Sequence, residues 1–449
     1  MLIKMRISNF MSFGPMQEFS MVAGKVRGHR DHLLTSKKIS ILRFSALYGA
    51  NASGKSNFIN ALDFSQEVIK DGIPKDFTQK YNRTNAENKN KVSHFEFDIK
   101  ANDRFYNYGF QILLSESSIT REWLYELKNE KLDLIFTRDL VNEEFYIGEY
   151  FKKEDITKRL NIYFDDTKLD DSALFLSVMN RDKSELYKTK SELSAFKDLY
   201  TWFTRDLDIN YPNKLFSNYS YFTTKSNSEE ICNTIRNFST GITNFKIIDA
   251  KRENLINSVP DKLLQEVREN IEKRIILSKK EALPPSDIGI ILRSNTDFFI
   301  FEVDDNYNMV TKTIVFEHGS FGSFNICEES DGTRRILELI EILFTENDNK
   351  IYVIDEVDRS LHPNLTFRFI ESYLKSLGKK NIQLIVTTHE SRLLNFDLLR
   401  RDEIWFINKN SNNESELYSL EEFNERFDMR VEKNYLNGRY NAIPNFDEV

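Results

Sequence analysis

Eight residues near the start of the chain, Gly49-Ala50-Asn51-Ala52-Ser53-Gly54-Lys55-Ser56, fit the spacing G-x-x-x-x-G-K-[ST]. The chain has only 15 glycines, and two of them bracket this stretch. Glycines at Gly49 and Gly54 permit a turn that aims several backbone N–H groups at one point. A helix that starts at the end of such a turn adds its partial positive charge there. Together they make a cradle for phosphate. Lys55 reaches the β- and γ-phosphates of a nucleotide, and the Ser56 hydroxyl is placed to ligate Mg²⁺.

The residues that would act on such a phosphate come at the far end. The apolar run in KIYVIDEVDRSLHP ends in Asp355-Glu356. An acidic residue at the tip of a buried strand is costly unless a cation meets it. Asp355 then holds Mg²⁺ through water, and Glu356 orients the attacking water. The run IQLIVTTHES also ends in a polar cluster, at His389, which reads as a sensor of the γ-phosphate. In EESDGTRRILELIEIL, Ser330 is a natural N-cap, Gly332 is small, and an amphipathic helix follows. This is a second helix start suited to an anion.

These residues need a scaffold that gathers strand ends on one edge. Ile39–Tyr48 reads as a buried strand running into the glycines, and the helix after it should end near Gly72. Between Val92 and Tyr150 the runs HFEFDI, FYNYGFQILL, ITREWLYEL, LDLIFTR and EFYIGEYF, separated by turn residues, predict an antiparallel sheet. From Ser172 to Glu281 the pattern is helical, with Leu193, Phe196, Tyr200, Phe203 and Leu207 on one face. Strand character returns in IGIILRS, DFFIFEV and MVTKTIVFE. Then follow a helix at Gly332–Phe344, a strand at Lys350–Asp355, a helix at Pro363–Leu377, a strand at Ile382–Thr387 and the strand EIWFIN. Such alternation predicts a parallel sheet covered by helices. Lys55, Glu356 and His389 then reach the edge where open α/β sheets bind ligands.

Composition narrows the alternatives. The 449 residues carry a net charge of −8, so the bulk electrostatic footprint of a nucleic-acid binder is missing. No run of about 18 apolar residues suggests a membrane span. The start MLIKMRISNF alternates and lacks a signal-peptide core, so a cytoplasmic protein is expected. Cys232 and Cys327 are the only cysteines, too few for a four-cysteine zinc site. The stretch GKVRGHRDHLLTSKK sets Lys25, Arg27, Arg30, Lys37 and Lys38 against Asp31. It reads either as a solvated loop or as a docking surface for an acidic partner.

The order of loop, Ser-x-Gly helix start, Asp-Glu strand end and His strand end resembles the ABC-type ATPases, and among them SMC/RecF-like heads. NFMSFGPMQEFSMVAGK, YGANASGKSN, ESDGTRR, DEVDRSLHP, QLIVTTHESRLL, RRDEIWFINK, SELYSLEEF and YLNGRYNAIP resemble a narrower group. That group is the RloA, AbiLi and AriA type of bacterial abortive-infection ATPases. The likeness is strong over about 1–60 and 325–445 and weak between. It implies an α/β P-loop NTPase fold of ABC type with an antiparallel β lobe and an inserted helical region. The implied division is 1–170 and 286–449 as the two parts of the ATPase head, with 171–285 as the helical insertion. It adds Asn51, Ser53, Asn57 and Thr333 to the nucleotide-binding set, with Ser56 and Asp355 on Mg²⁺ and Glu356 and His389 catalytic. ATP and Mg²⁺ are the implied cofactors. The implied partners are a second copy of the chain, as dimer or higher oligomer, and a separately encoded effector of the TOPRIM or RloB nuclease type. A phage trigger protein is a further partner of this kind, no membrane is involved, and nucleic acid is left open.

Two departures stand out. The signature reads Ser330-Asp331-Gly332-Thr333 in place of Ser-Gly-Gly-Gln, and Asp358 is followed by Arg359-Ser360-Leu361-His362. Gln79 and Gln66 are candidates for the glutamine that completes the Mg²⁺ shell in such enzymes, and the sequence assigns neither. A RecF-like DNA-repair ATPase is the alternative reading, opposed by the acidic balance. A transporter ATPase is opposed by the long gap between loop and signature. INKNS lacks the aspartate of a guanine-recognition motif. The pairs Asp165-Asp166, Asp170-Asp171 and Asp304-Asp305 read as solvated turns.

Overall fold

The computed structural model describes residues 1–26, 28–36, 39–128, 131–151, 154–181, 183, 186–187, 193–212, 220–223, 228–281, 289–293, 297–345, 349–423 and 431–443. Arg27, Lys37 and Lys38 of the basic stretch, and the expected 285/286 boundary, lie outside the described residues.

Phe44–Tyr48 is buried at every position. A strand apolar on both faces belongs inside a parallel sheet, and that is where it sits. The sheet runs Leu207–Asn210, Ile351–Ile354, Gln383–Thr387, Phe44–Tyr48, Ile404–Lys409 and Ser415–Ser419. The first five strands are parallel and the last is antiparallel. The expected Ile39–Tyr48 strand is divided, because Ser40–Leu42 pairs instead with Leu33–Thr35.

A second, antiparallel sheet has the order Glu144–Ile147, Lys131–Asp139, Ser118–Lys128, Arg104–Leu113, Ser93–Ala101, Leu2–Ser8 and Gln17–Ser20. Strict alternation in Ser93–Ala101 buries Phe95, Phe97 and Ile99 and leaves His94, Glu96 and Asp98 half-buried. The Lys55–Asp71 helix packs on this face. Phe64 lies 5.3 Å from the Phe10 ring and 5.2 Å from Phe95, and Phe58 lies 5.0 Å from Phe19. One apolar core joins this helix, the antiparallel face and the parallel strands through Leu47, Val353, Ile385 and Ile407. Gly72 caps the helix with φ 95°, in the left-handed region that glycine adopts without strain.

By compactness the chain divides into two units. One comprises 1–212, 347–358 and 374–449, and the other 213–346 and 359–373. The segment 171–285, which the resemblance implies is a helical insertion, is shared between them. Helices Phe175–Asn180 and Ser194–Thr201 belong to the first unit; Ser228–Asn237, Arg252–Ser258 and Asp261–Glu281 belong to the second. Leu207 does not continue the helix face of Leu193, Phe196, Tyr200 and Phe203. The helix widens into a π-turn at Trp202–Asp206, and Leu207 then pairs with Ile351 in the parallel sheet. Long-range pairing overrides local periodicity there. The second unit also contains a strand within the helical stretch, Asn244–Asp249. Its sheet runs Asn244–Asp249, Met309–Glu317, Phe298–Val303 and Gly289–Arg293, and Ser323–Asn325 pairs with Met309–Glu317. Val259, Leu264, Val267 and Ile271 pack on Phe299, Phe301 and Val303. Among the described residues no helix is long and apolar enough to cross a membrane.

In the first unit a buried ion pair ties the antiparallel sheet to its helices. The Arg138 guanidinium donates to Glu122 at 3.2 Å and to the carbonyls of Thr167, Asp170 and Ala173. Glu122 also accepts from Tyr108 and from the Phe175 and Leu176 N–H groups. Both side chains are fully buried. Removing one partner leaves an uncompensated charge in an apolar interior. Glu122→Ala should therefore lower stability by about 3–5 kcal/mol, measured by urea denaturation; a change below about 1 kcal/mol would show that the pair does not hold the lobe.

Candidate functional site

Strand ends set the site. Phe44–Tyr48 delivers Gly49, Ile351–Ile354 delivers Asp355, and Gln383–Thr387 lies between them and leads to His389. The turn after Phe44–Tyr48 takes two left-handed residues, Ala52 (φ 61°) and Gly54 (φ 117°). A Cβ at Gly49 would sit 2.4 Å from the Ile407 carbonyl oxygen, and one at Gly54 would sit 2.2 Å from Ser415 Oγ. Both positions therefore require glycine. Lys55 opens a 17-residue helix whose first turn holds no acidic residue. Its ammonium donates to Gly49 O at 2.7 Å and Ala50 O at 3.0 Å. Burial lowers the Lys55 pKa, and Asp355, Glu356 and Asp358 oppose that shift. Ser56 and Asn51 are exposed at the loop's mouth. Ser53 Oγ is buried without a hydrogen-bond partner among the described residues. A cradle with an orphaned hydroxyl, a confined cation and an unopposed helix N-terminus fits a phosphate group.

The loop is braced from outside. Asn57 Nδ2 donates to Ser12 Oγ at 2.8 Å. Ser415 Oγ lies 2.7 Å from Ser12 Oγ and donates to Ser53 O at 2.6 Å.

Asp355 is buried, with 3% exposure. Thr387 explains how its carboxylate is tolerated. The Thr387 hydroxyl donates to Asp355 Oδ1 at 2.5 Å and accepts from the Glu356 N–H at 2.8 Å. Val357 N–H donates to Thr387 O at 3.0 Å. Glu356 sits at φ 50°, a backbone state that non-glycine residues hold only when neighbours enforce it. Its side chain is half-buried. Asp358 accepts from the His389 N–H at 3.3 Å. His389 is exposed. Desolvation and then the Lys55 charge hold its pKa below the ordinary histidine value, against Asp358, Glu356 and Asp355. Lys55, Asp355, Glu356, Asp358 and His389 thus share one electrostatic neighbourhood.

Ser330, Gly332 and Thr333 belong to the second unit. Ser330 caps the Asp331–Phe344 helix, accepting from Thr333 N–H at 3.1 Å and sharing a 2.9 Å hydrogen bond with Thr333 Oγ1. Arg334 pairs with Asp331, which offsets the acid in the first turn. A Cβ at Gly332 would come within 2.9 Å of Ser360 O, so the helix start needs a residue without a side chain. Of the two glutamine candidates, Gln66 donates to the carbonyls of Phe203 and Leu207 and is occupied in the fold. Gln79 is exposed, and the next residue's carbonyl accepts from Met11 N–H.

Sequence reading missed Thr387, Ser12 and Ser415, whose short polar side chains carry no spacing signal. It also missed the Val431–Leu436 helix. Ser391 donates to Glu432 at 2.9 Å, Tyr48 donates to Glu390 O at 3.3 Å, and the Tyr48 and Tyr435 rings stand 5.5 Å apart. This helix therefore pins the loop that carries His389.

A model of the family described as "AAA domain, putative AbiEii toxin, Type IV TA system" matches residues 44–395. The chain belongs to this family. The match runs from the phosphate-loop strand to just past His389, so it includes Gly49–Ser56, Ser330–Thr333, Asp355, Glu356 and His389, and it leaves out Ser12, Ser415 and the Val431–Leu436 helix. No curated protein matches the chain. Among solved structures it is similar to an SMC head bound to the C-terminal winged-helix domain of ScpA, at 14% identity and TM-score 0.40, covering 93% of this chain and 97% of that one. It is also similar to the SMC head domain from Thermotoga maritima, at 12% identity and TM-score 0.35, covering 93% and 98%. A third is the Pyrococcus furiosus Smc head with an extended coiled coil, bound to the C-terminal domain of ScpA, at 14% and 0.38, covering 93% and 96%. The chain is thus an α/β AAA-family domain, and the strands of its antiparallel sheet lie at Leu2–Ser8, Gln17–Ser20 and between Ser93 and Ile147.

Thr387 is fully buried, so its hydroxyl can be removed without changing the surface. Thr387→Val should cost about 1–3 kcal/mol, because the Glu356 N–H loses its partner. Thr387→Ser should recover most of that in urea denaturation. Equal stability of all three proteins would remove Thr387 from the site.

Proposed function

We propose that this AAA-domain protein binds ATP with Mg²⁺ at Gly49–Ser56 and hydrolyses it between two copies of the chain. The Ser330-Gly332-Thr333 helix start of one copy would face the nucleotide of the other. Nucleotide state would control a separately encoded toxic effector, a nuclease of the RloB kind, in a bacterial antiphage system. The observation that carries this reading is the Thr387 bridge. It presents Asp355 and Glu356 at one strand end, in the field of the confined Lys55 cation.

On this reading Lys55 exchanges the Gly49 and Ala50 carbonyls for phosphate oxygens. Loop N–H groups, with Ser53 and Asn51, complete the cradle, and Asn57 keeps it braced against Ser12. Ser56 and Asp355 would hold Mg²⁺, which neutralises charge on the phosphate oxygens. Glu356 accepts a hydrogen bond from the attacking water and orients it. His389 donates to the γ-phosphate, with its loop fixed through Asp358. The family's description names a toxin of a toxin–antitoxin system, which supports a role in growth arrest. Exposed Lys25 and Arg30 support the basic stretch as a surface for an acidic partner.

Lys55→Ala should weaken ATP binding roughly 10–100-fold, the scale of a lost hydrogen bond to a charged group. Glu356→Gln should preserve binding while turnover falls by about 100-fold or more. Isothermal titration and phosphate release measure the two. Wild-type turnover in Glu356→Gln would overturn the catalytic assignment. Ser330→Arg should abolish turnover and spare binding; full activity in a dilute monomer, followed by light scattering, would sink the shared site. Co-purification of the neighbouring gene product with Glu356→Gln and ATP tests effector control. Nuclease activity of the purified chain alone, with no neighbour bound in any nucleotide state, would refute it.

A further inference from the structure

The basic stretch holds a feature that nucleotide chemistry does not use. Two of the chain's six histidines, His29 and His32, stand three apart around Asp31. They lie on a short turn, Arg30–His32, whose N-cap His29 is left-handed at φ 44° and ψ 48°. The two rings face each other with centroids 4.8 Å apart. One ligand atom from each of His29, Asp31 and His32 lies within 4.8 Å of the other two.

Hydrogen bonds fix which nitrogens are open. His29 Nε2 is 2.9 Å from Phe396 O. A carbonyl only accepts, so Nε2 carries the proton and Nδ1 keeps its lone pair. His32 Nδ1 lies 2.9 and 3.2 Å from the two oxygens of Glu403. Glu403 is fully buried and also accepts from Arg400 N–H. Nδ1 of His32 is thus the donor, and its Nε2 is open. An imidazole whose far N–H is held by a carbonyl or a carboxylate is the arrangement that orients histidine toward a metal. Arg43 and Arg400 grip the turn by its carbonyls, at Asp31 O and Gly28 O. Among the described residues the exposed Asp31 carboxylate has no partner.

We propose that His29, Asp31 and His32 form a site for a divalent transition metal, Zn²⁺ by ligand type, separate from the nucleotide. Two imidazoles and a carboxylate suit Zn²⁺ rather than Mg²⁺. Tetrahedral bonds of about 2.1 Å set ligand atoms about 3.4 Å apart, so the three ligand atoms, within 4.8 Å of one another here, would draw closer on binding. Water takes the fourth position. The bound metal would tie the turn to the Phe396 and Glu403 segments.

The test uses full-length protein stripped with a chelator and without nucleotide. Zn²⁺ retained after gel filtration is measured by elemental analysis, and Co²⁺ is titrated by its visible absorption. Wild type should retain one equivalent. Asp355→Asn, which removes a carboxylate from the nucleotide site, should retain it as well. His29→Asn keeps a residue that tolerates the left-handed backbone, and Asp31→Asn is isosteric; each should weaken binding by at least about tenfold. Circular dichroism melts confirm that both variants are folded. If wild type retains no metal, or if both variants retain it as tightly as wild type, the cluster is a structural histidine pair on Glu403 and the proposal falls.

Discussion

A buried carboxylate needs a partner, and this protein places one, Asp355, at the end of an apolar strand. The strand order leaves a single strand between it and the phosphate loop. That strand ends in Thr387, whose hydroxyl can donate and accept at once. It satisfies the carboxylate on one side and the strained Glu356 backbone on the other. Lys55 is constrained in the opposite sense. Burial pushes its pKa down while three carboxylates hold it up. Neither charge is well solvated alone, and both are arranged by the same parallel sheet.

The rest of the first unit keeps that arrangement rigid. The Lys55–Asp71 helix is clamped between the parallel strands and the phenylalanine-rich face of the antiparallel sheet. Glu122 and Arg138 fasten the sheet to the Phe175–Asn180 helix, and Ser177 donates to Ile69 O near the end of the phosphate-loop helix at 2.6 Å. Ser12 and Ser415, 403 residues apart, meet behind the loop. The Val431–Leu436 helix holds the His389 loop from the other side. Positions proposed to bind phosphate are thus few, while positions that keep them in place run from Ser12 to the Val431–Leu436 helix.

Legibility follows from how local each constraint is. The phosphate loop, the Lys55 helix with its end at Gly72, and the Ser330 cap are written within a dozen or so residues, because helix starts, stops and glycine turns depend on near neighbours. Asp355 and His389 were legible since polar residues abruptly end apolar runs. Leu207 was misread as part of a helix face, because only pairing with Ile351 makes it a strand. Asn244–Asp249 stayed hidden in a helical stretch for the same reason: its partner, Met309–Glu317, lies more than sixty residues away. Gln66 and Gln79 could not be separated by spacing. The carbonyls of Phe203 and Leu207 that occupy Gln66 come from a distant segment.

The amino-acid sequence by itself determined the proposed chemistry: which side chains are of the type to cradle phosphate, hold a cation, orient water and cap a second helix. Those properties belong to residue types at fixed short spacings. Tertiary structure alone decided their environment. It buried Asp355 against Thr387, confined Lys55 against two loop carbonyls, set Ser360 O against Gly332, and fixed the open nitrogens of His29 and His32 through Phe396 and Glu403. Thr387 lies 32 residues from Asp355, and Phe396 and Glu403 lie 367 and 371 residues from His29 and His32; no local pattern encodes which of them will meet.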